Sequence, residues 1–530
     1  MSHGAQDKRI RRCMTGEQVR TRLSWPAMTP AEYANIATAC DRLLRAHDTS
    51  LARIAIPSLH VVSEHPDWIA QYASLGGGSR AIDDIAPGVL VNGARLVVRT
   101  WRAAARTTDQ GLDRLALGHA DVLLVSHVSN GIQLREETDF YFGDLQRELA
   151  ARGVTSLLAG VNHSATEDEA ELRSTAFRPL PNGRVLLPTA VPPVTEFAVW
   201  RACVAARGSL EQAARADSPE LDGSLARLAR RDVMRHQTAA NLRLHHWIAY
   251  LCQQLQPTLV ITTYEGDAGE RMIWHAARLA APGALCVGYQ HTRVFPRSHA
   301  VRRAVSAPGH PCDPDVVLTT GTHTRDDLAA SPALGTARLI VYGSHRRALV
   351  PNGDQGPRAW RCLVLPEASA RERELLFTCA IQCALLQPAS TFVLRPHPMA
   401  STSDLFSRRN LPANVVVSTA PLDRDFAGAR YCLYRGSSAA LFAVLAGLKP
   451  FYLALPGELP FDPLSDAALN GWRETVTSAA DLAARISSAE TTPRDEAAAA
   501  AARRWCDRYI SPLRPEAVDR LVEIVRDHAT

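Results

Sequence analysis

With 530 residues, 46% of them apolar and 21% charged, the chain is too long for one ordinary core and too apolar to stay disordered, so two large domains plus smaller additions are expected. A net charge of +5, spread along the chain rather than gathered on one tail, excludes a dedicated nucleic-acid binder from the expected classes. The eleven cysteines stand singly with no CxxC pair, which argues against structural zinc and against a disulfide framework.

Near the amino terminus Lys8, Arg9, Arg11 and Arg12 are not followed by an apolar run, so no secretory signal is expected and the location implied is cytoplasmic. Residues 1–118 read as an N-terminal extension with little legible pattern. From Asp121 the chain alternates. DVLLVS is an apolar strand, DFYFGDLQRELAARG a helical period closed by Gly153, and VTSLLAG a second strand. A long helical region spans about Val194 to Leu255. Next come the strand TLVITTY, a helix around Arg271 to Ala280, and the strands ALCVGYQH, VVLTTG and ARLIVYG. Apolar strands alternating with helices predict a buried parallel sheet, and residues 119–345 form the first such domain.

The polar, Pro- and Gly-containing stretch 344–358 reads as the linker. A second alternating series then covers 346–490: RCLVLP, a helix from about Ala370 to Leu386, TFVLRPHP, NVVVST, YCLYRG, a helix at about Ser438 to Leu448, and KPFYLAL. Cys379 and Cys383 share one face of that first helix and read as small core residues. The apolar stretch Ala439 to Leu455 is cut by Lys449-Pro450, so it is not expected to span a membrane. Residues 491–530 read as terminal helices. Two such domains imply a cleft with ligands at the carboxyl ends of the strands.

The candidate chemistry therefore lies just after each strand. In the second domain Arg395 and His397 of RPHP offer a cation and an imidazole to a phosphate, on a backbone stiffened by two prolines. Gly436, Ser437 and Ser438 form a strand-to-helix turn suited to an anion, although ordinary helix capping by either serine explains the same pattern. Glu367 follows RCLVLP and is a candidate for the nucleotide sugar. In the first domain Glu265 and Asp267 flank Gly266 after a buried strand. There a carboxylate suits a general base, while Glu265, Asp267 and Glu270 all suit a helix start as well. Gln290, His291 and Arg293 at the next strand end, and Ser129 after DVLLVS, are candidates for holding the acceptor. The absence of GxGxxG, GxxxxGK[ST], HExxH and a DxD pair after a strand argues against dehydrogenase, ATPase, zincin and metal-dependent transferase chemistry, so neither a metal nor a separate cofactor is expected.

TYEGDAGERMIWHAAR with GYQHTRVFP, then RPHP, then YRGSSAALFAVLAGLKP resemble, in that order and over about residues 120 to 455, the GT-B glycosyltransferases of bacterial capsule and lipopolysaccharide synthesis. The chain looks similar to the carbohydrate-biosynthesis proteins related to capsule and lipopolysaccharide enzymes, a group related to the sialyltransferase and Kdo transferase families. The resemblance implies an α/β fold of GT-B type, two Rossmann-like domains facing a cleft. It gives Glu265 the acidic role, His397 the nucleotide-contacting His of an HP pair, and Ser437 with Ser438 the phosphate role. It further implies a nucleotide-sugar donor, CMP-linked donors among the candidates, a glycan or glycolipid acceptor, and peripheral association with the inner membrane. The sequence departs where those sialyltransferases carry two acids before the Gly, because Tyr264 stands in the other place. The segment SLHVVSEHPDWIAQY, residues 58–72, is similar to the same proteins and takes no role. Two alternatives share the architecture: a nucleotide-sugar epimerase, and a catalytically silent scaffold in polysaccharide assembly.

Overall fold

Among the described residues fourteen strands collect into two sheets, and the reason is visible in their composition: the central strands are apolar on both faces, which demands helices on both sides. The computed structural model describes residues 28–46, 49–61, 65–73, 75, 118–129, 131, 133–163, 177–215, 219–302, 312–331, 334, 337–349, 361–397 and 411–529. The first sheet contains β1 (Val122–Val128), β2 (Ser156–Asn162), β3 (Arg178–Leu180), β4 (Arg184–Leu186), β5 (Leu259–Thr263), β6 (Leu285–Gln290), β7 (Val316–Thr319) and β8 (Arg338–Val341). They lie in the order β3-β4-β2-β1-β5-β6-β7-β8, all parallel except the β3–β4 pair. One face is covered by the helices His236–Leu255 and Ala268–Ala280, with Trp247, Ile248, Ile273 and Trp274 in the core. The other face receives Val518, Leu521, Val522 and Val525 of the last helix, Pro515–Ala529.

The second sheet contains β9 (Arg361–Leu365), β10 (Thr391–Leu394), β11 (Val415–Val417), β12 (Tyr431–Tyr434), β13 (Lys449–Leu453) and β14 (Glu474–Val476). Its order is β11-β10-β9-β12-β13-β14, entirely parallel. The helices Ala370–Leu386 and Ala479–Thr491 pack on it, and Cys379 and Cys383 are buried there among Leu376, Phe392 and Leu482. The fold class is therefore α/β with two parallel-sheet units.

The main division, between residues 348 and 349, falls inside the stretch expected as a linker, but segments from both ends of the chain cross it. One unit comprises residues 31–64, 74–348 and 507–530, and the other comprises 1–30, 65–73 and 349–506. The end of the chain thus returns to the first sheet, while residues 65–73 belong with the second. The long helical region resolves into three helices, Pro193–Arg215, Glu220–Asp232 and His236–Leu255. The stretch expected as a linker enters the structure earlier than its polarity suggested. Ser344 is buried and bridges Pro512, and His345–Leu349 forms a 3-10 turn, so 344–348 is part of the first unit; residues 350–358 lie outside the described ones.

A second correction concerns DFYFGDLQRELAARG, where the helix begins only at Leu145. The carboxylate of Asp139 accepts from the backbone N–H groups of Tyr141 and Phe142, both at 2.8 Å, and Gly143 closes the turn at φ +57°. An Asp that satisfies nearby amides this way competes directly with the helix.

Candidate functional site

The sheet register places the first group of candidates. Thr263 of β5 pairs with Tyr289 of β6, so two residues further along the parallel strands Glu265 and His291 emerge side by side. His291 Nε2 lies 3.1 Å from Glu265 Oε1, with the imidazole buried and the carboxylate side chain 42% exposed. Burial of the imidazole lowers the His291 pKa despite the facing carboxylate, so the ring is neutral at pH 7, and its Nε2–H donates to Glu265. Its Nδ1, an acceptor in that tautomer, is buried without a hydrogen bond among the described residues. Burial acts against charge on Glu265, but the hydrogen bond from His291 and the nearby Arg346 cation help hold the carboxyl below its usual range.

The other acids of the same turn have different work. Asp267 is the N-cap of the helix Ala268–Ala280, accepting from Gly269 N at 2.7 Å and Glu270 N at 3.1 Å. Glu270 completes the capping box and reaches further, its buried carboxylate accepting from the N–H groups of Glu265 (2.7 Å), Gly266 (2.8 Å) and Asp267 (3.1 Å). The turn is thus wrapped around Glu270. Gly266 is required at its φ of +87°, because a Cβ there would fall 2.6 Å from the Ala300 carbonyl carbon. Of the three acids, Glu265 alone has a carboxylate that accepts from none of the turn's backbone N–H groups.

Three neighbours of this pair were not legible as site residues. Tyr141, projected by the Asp139 turn, stacks edge-on with His291 at 4.8 Å, and Ser126 anchors the same Asp139 at 2.7 Å. Arg346 lies over Phe140 at 4.1 Å and Tyr141 at 5.4 Å, and both its Nε and Nη2 donate to the Phe140 carbonyl at 3.3 Å. His127 bonds His163 at 2.7 Å and Thr263 at 2.9 Å, and burial holds its pKa well below the ordinary value. A polar stretch resembling a linker hid Arg346, and an apparent helix hid Tyr141.

The remaining first-unit candidates are engaged with other groups. Gln290 is buried and donates to the Thr292 carbonyl. Arg293 is turned onto the Tyr509 ring, 4.4 Å away, with Asp327 at 3.6 Å, so the structure commits it to the C-terminal segment. Ser129 is buried, its N–H donating to Gln133 at 2.6 Å.

In the second unit, Glu367, Arg395, His397 and Gly436 through Ser438 follow β9, β10 and β12, which are neighbours in the sheet, so all of them gather along one carboxyl edge. Arg395 is held by Asp425 at 2.5 Å and by the Ala420 carbonyl at 2.7 Å. His397 is half-buried just beyond β10. Gly436 fits against Phe461 so closely that a Cβ would sit 1.9 Å from that ring. Ser437 is buried, and Ser438 is the N-cap of the helix Ala439–Leu445 without a side-chain capping bond, so the capping alternative does not describe its hydroxyl. Beneath them Arg435 is fully buried between Glu372 (2.5 Å) and Glu458 (2.6 Å). Glu367 Oε1 is 2.6 Å from His65 Nε2.

No protein-family model matches the sequence, and no curated protein matches it. Among solved structures the chain is similar to the glycotransferase of kitacinnamycin, at 15% identity over 77% of this chain and 99% of that one, with a TM-score of 0.42. It is likewise similar to the glycosyltransferase SnogD from Streptomyces nogalater, at 16% identity over 77% and 100% with a TM-score of 0.38. A third is the UDP-GlcNAc 2-epimerase of Methanocaldococcus jannaschii, solved with UDP-GlcNAc and UDP, at 10% identity over 77% and 99% with a TM-score of 0.44. The α/β class itself rests on the two sheets described above. Among the described residues no helix is long and apolar enough to cross a membrane.

Proposed function

We propose that this chain is a metal-independent glycosyltransferase that moves a sugar from a nucleotide-activated donor to a hydroxyl of a bacterial surface-polysaccharide or lipopolysaccharide acceptor. One observation carries the reading: within the turn Glu265 to Glu270, Asp267 and Glu270 are bound up in backbone N–H groups, while Glu265 is ionised, partly exposed and oriented by His291. A base in this reaction needs an ionised carboxylate with an accessible lone pair. The acceptor oxygen attacks the anomeric carbon, its proton passes to Glu265, and the bond to the nucleotide phosphate breaks with the electron pair leaving on that phosphate. Arg346 and Tyr141 border the carboxylate and suit the acceptor side.

The nucleotide is assigned to the second unit, with His397, Ser437 and Ser438 toward phosphate, Arg395 as a braced cation beside them, and Glu367 toward the sugar portions. The resemblance of the sequence motifs supports a donor such as a CMP-linked sugar, and a workplace in the cytoplasm at the inner membrane where lipid-linked acceptors are met.

The test is a thermal-shift screen with CMP, CDP, UDP and GDP, followed by nucleotide release from the matching sugar donor with and without acceptor. A ligand at a hundred times its Kd stabilises by about 2.7 kcal/mol, enough to register. Acceptor-dependent release is expected. Isomerised sugar formed without acceptor would replace the reading with an epimerase, and binding without turnover would replace it with a scaffold.

A further inference from the structure

The segment 65–73 lies far from the second sheet in sequence yet belongs to that unit, and its contacts concentrate on one candidate residue. His65 precedes the helix Pro66–Ala73. Its Nδ1 accepts from the Asp67 N–H at 3.0 Å, as an N-cap would, which leaves Nε2 carrying the proton toward Glu367, 2.6 Å away. The next turn is tied as well, Ser369 Oγ donating to Asp67 Oδ2 at 2.7 Å. The His65 ring packs edge-on against Phe461 at 4.9 Å, and Phe461 is the ring that fills the space over Gly436. One imidazole therefore touches the loop after β9 and the side chain seated at the turn after β12. Among the described residues His65 is the one ion-pair partner of Glu367, and the contact is made to Oε1, an oxygen buried without any other hydrogen bond.

We propose that His65 is a positioning residue for a nucleotide's ribose: it fixes the carboxylate of Glu367 so that Oε2 accepts from the ribose hydroxyls. The proposal rests on the nucleotide reading of the second unit and adds to it a residue outside that unit's contiguous sequence, together with the part of the ligand it governs. A carboxylate is acceptor-only, so it matches a hydroxyl pair and does not match a phosphate. Held by one side chain on Oε1, it presents the other oxygen at a fixed place, and a site built to bond a hydroxyl discriminates against the analogue lacking it.

The experiment compares ribonucleotides with their 2′-deoxy counterparts, using CMP, CDP, UDP and GDP by calorimetry on the full chain. Wild type is expected to prefer the ribose form by roughly tenfold or more. His65→Asn keeps an acceptor for the Asp67 N–H but cannot reach Glu367, so folding is retained, ribonucleotide affinity falls, and the preference shrinks toward unity. Glu367→Gln is expected to shrink it too. A merely structural His65 would weaken ribo and deoxy forms alike, so an unchanged ratio in a folded His65→Asn protein overturns the proposal. A wild type that binds ribo and deoxy forms equally overturns the Glu367 contact. A wild type that binds none of the four nucleotides overturns the donor-site reading itself.

Discussion

Replacing Glu265 by Gln should separate catalysis from folding at the turn Glu265 to Glu270. The substitution keeps shape and packing and removes the charge. A positioned base contributes roughly 10²- to 10⁴-fold, or about 2.7 to 5.4 kcal/mol of barrier at 1.36 kcal/mol per decade. The structure limits the stability cost. The Glu265 side chain is 42% exposed and its ion-pair partner among the described residues is His291 at 3.1 Å, so about 1 kcal/mol or less is expected from the weakened contact. Glu270→Ala provides the opposite case, since it strands three backbone N–H groups now bonded at 2.7, 2.8 and 3.1 Å, at a cost of about 2 to 4 kcal/mol. Melting temperature, donor affinity and turnover are measured on both variants. Glu265→Gln should turn over at least a hundredfold more slowly with near-native melting and donor affinity, whereas Glu270→Ala should melt early. A Glu265→Gln protein with turnover near wild type would refute the reasoning and leave Glu265 as a surface acid.

Gly266→Ala should destabilise by more than about 1 kcal/mol and depress turnover, because φ +87° and the backbone of Ala300 and Val301 leave no room for a methyl; a neutral effect on melting would show that the turn can relax. Burial pulls His245 and His345 down to about 4, below an unfolded value near 6.5. Their stability contribution is therefore whole above pH 6.5 and is lost as pH falls toward 4, by at most about 1.4 kcal/mol per pH unit for each ring before solvent screening. A melting temperature flat from pH 7 to 5 would contradict this. EDTA is expected to leave turnover within twofold, and loss restored by magnesium or manganese would contradict the metal-independent mechanism.

By itself the sequence determined the alternating strands and helices, because a strand buried on both faces must be apolar throughout and its helices must carry a 3.6-residue period. It also determined that candidate groups follow strand ends, and it singled out Glu265 beside a glycine. Tertiary structure decided which acid is free. Asp267 and Glu270 have the same local signature as Glu265, and only the three-dimensional turn shows two of them engaged with backbone N–H groups. It decided that Tyr141 leaves a helical pattern, because the competing bonds of Asp139 are invisible to periodicity. It placed Arg346 beside Tyr141 and His65 beside Glu367, contacts between residues 205 and 302 positions apart that no local pattern encodes. Local propensity is written in neighbours along the chain, whereas a site is assembled from strand ends that the sheet order brings together.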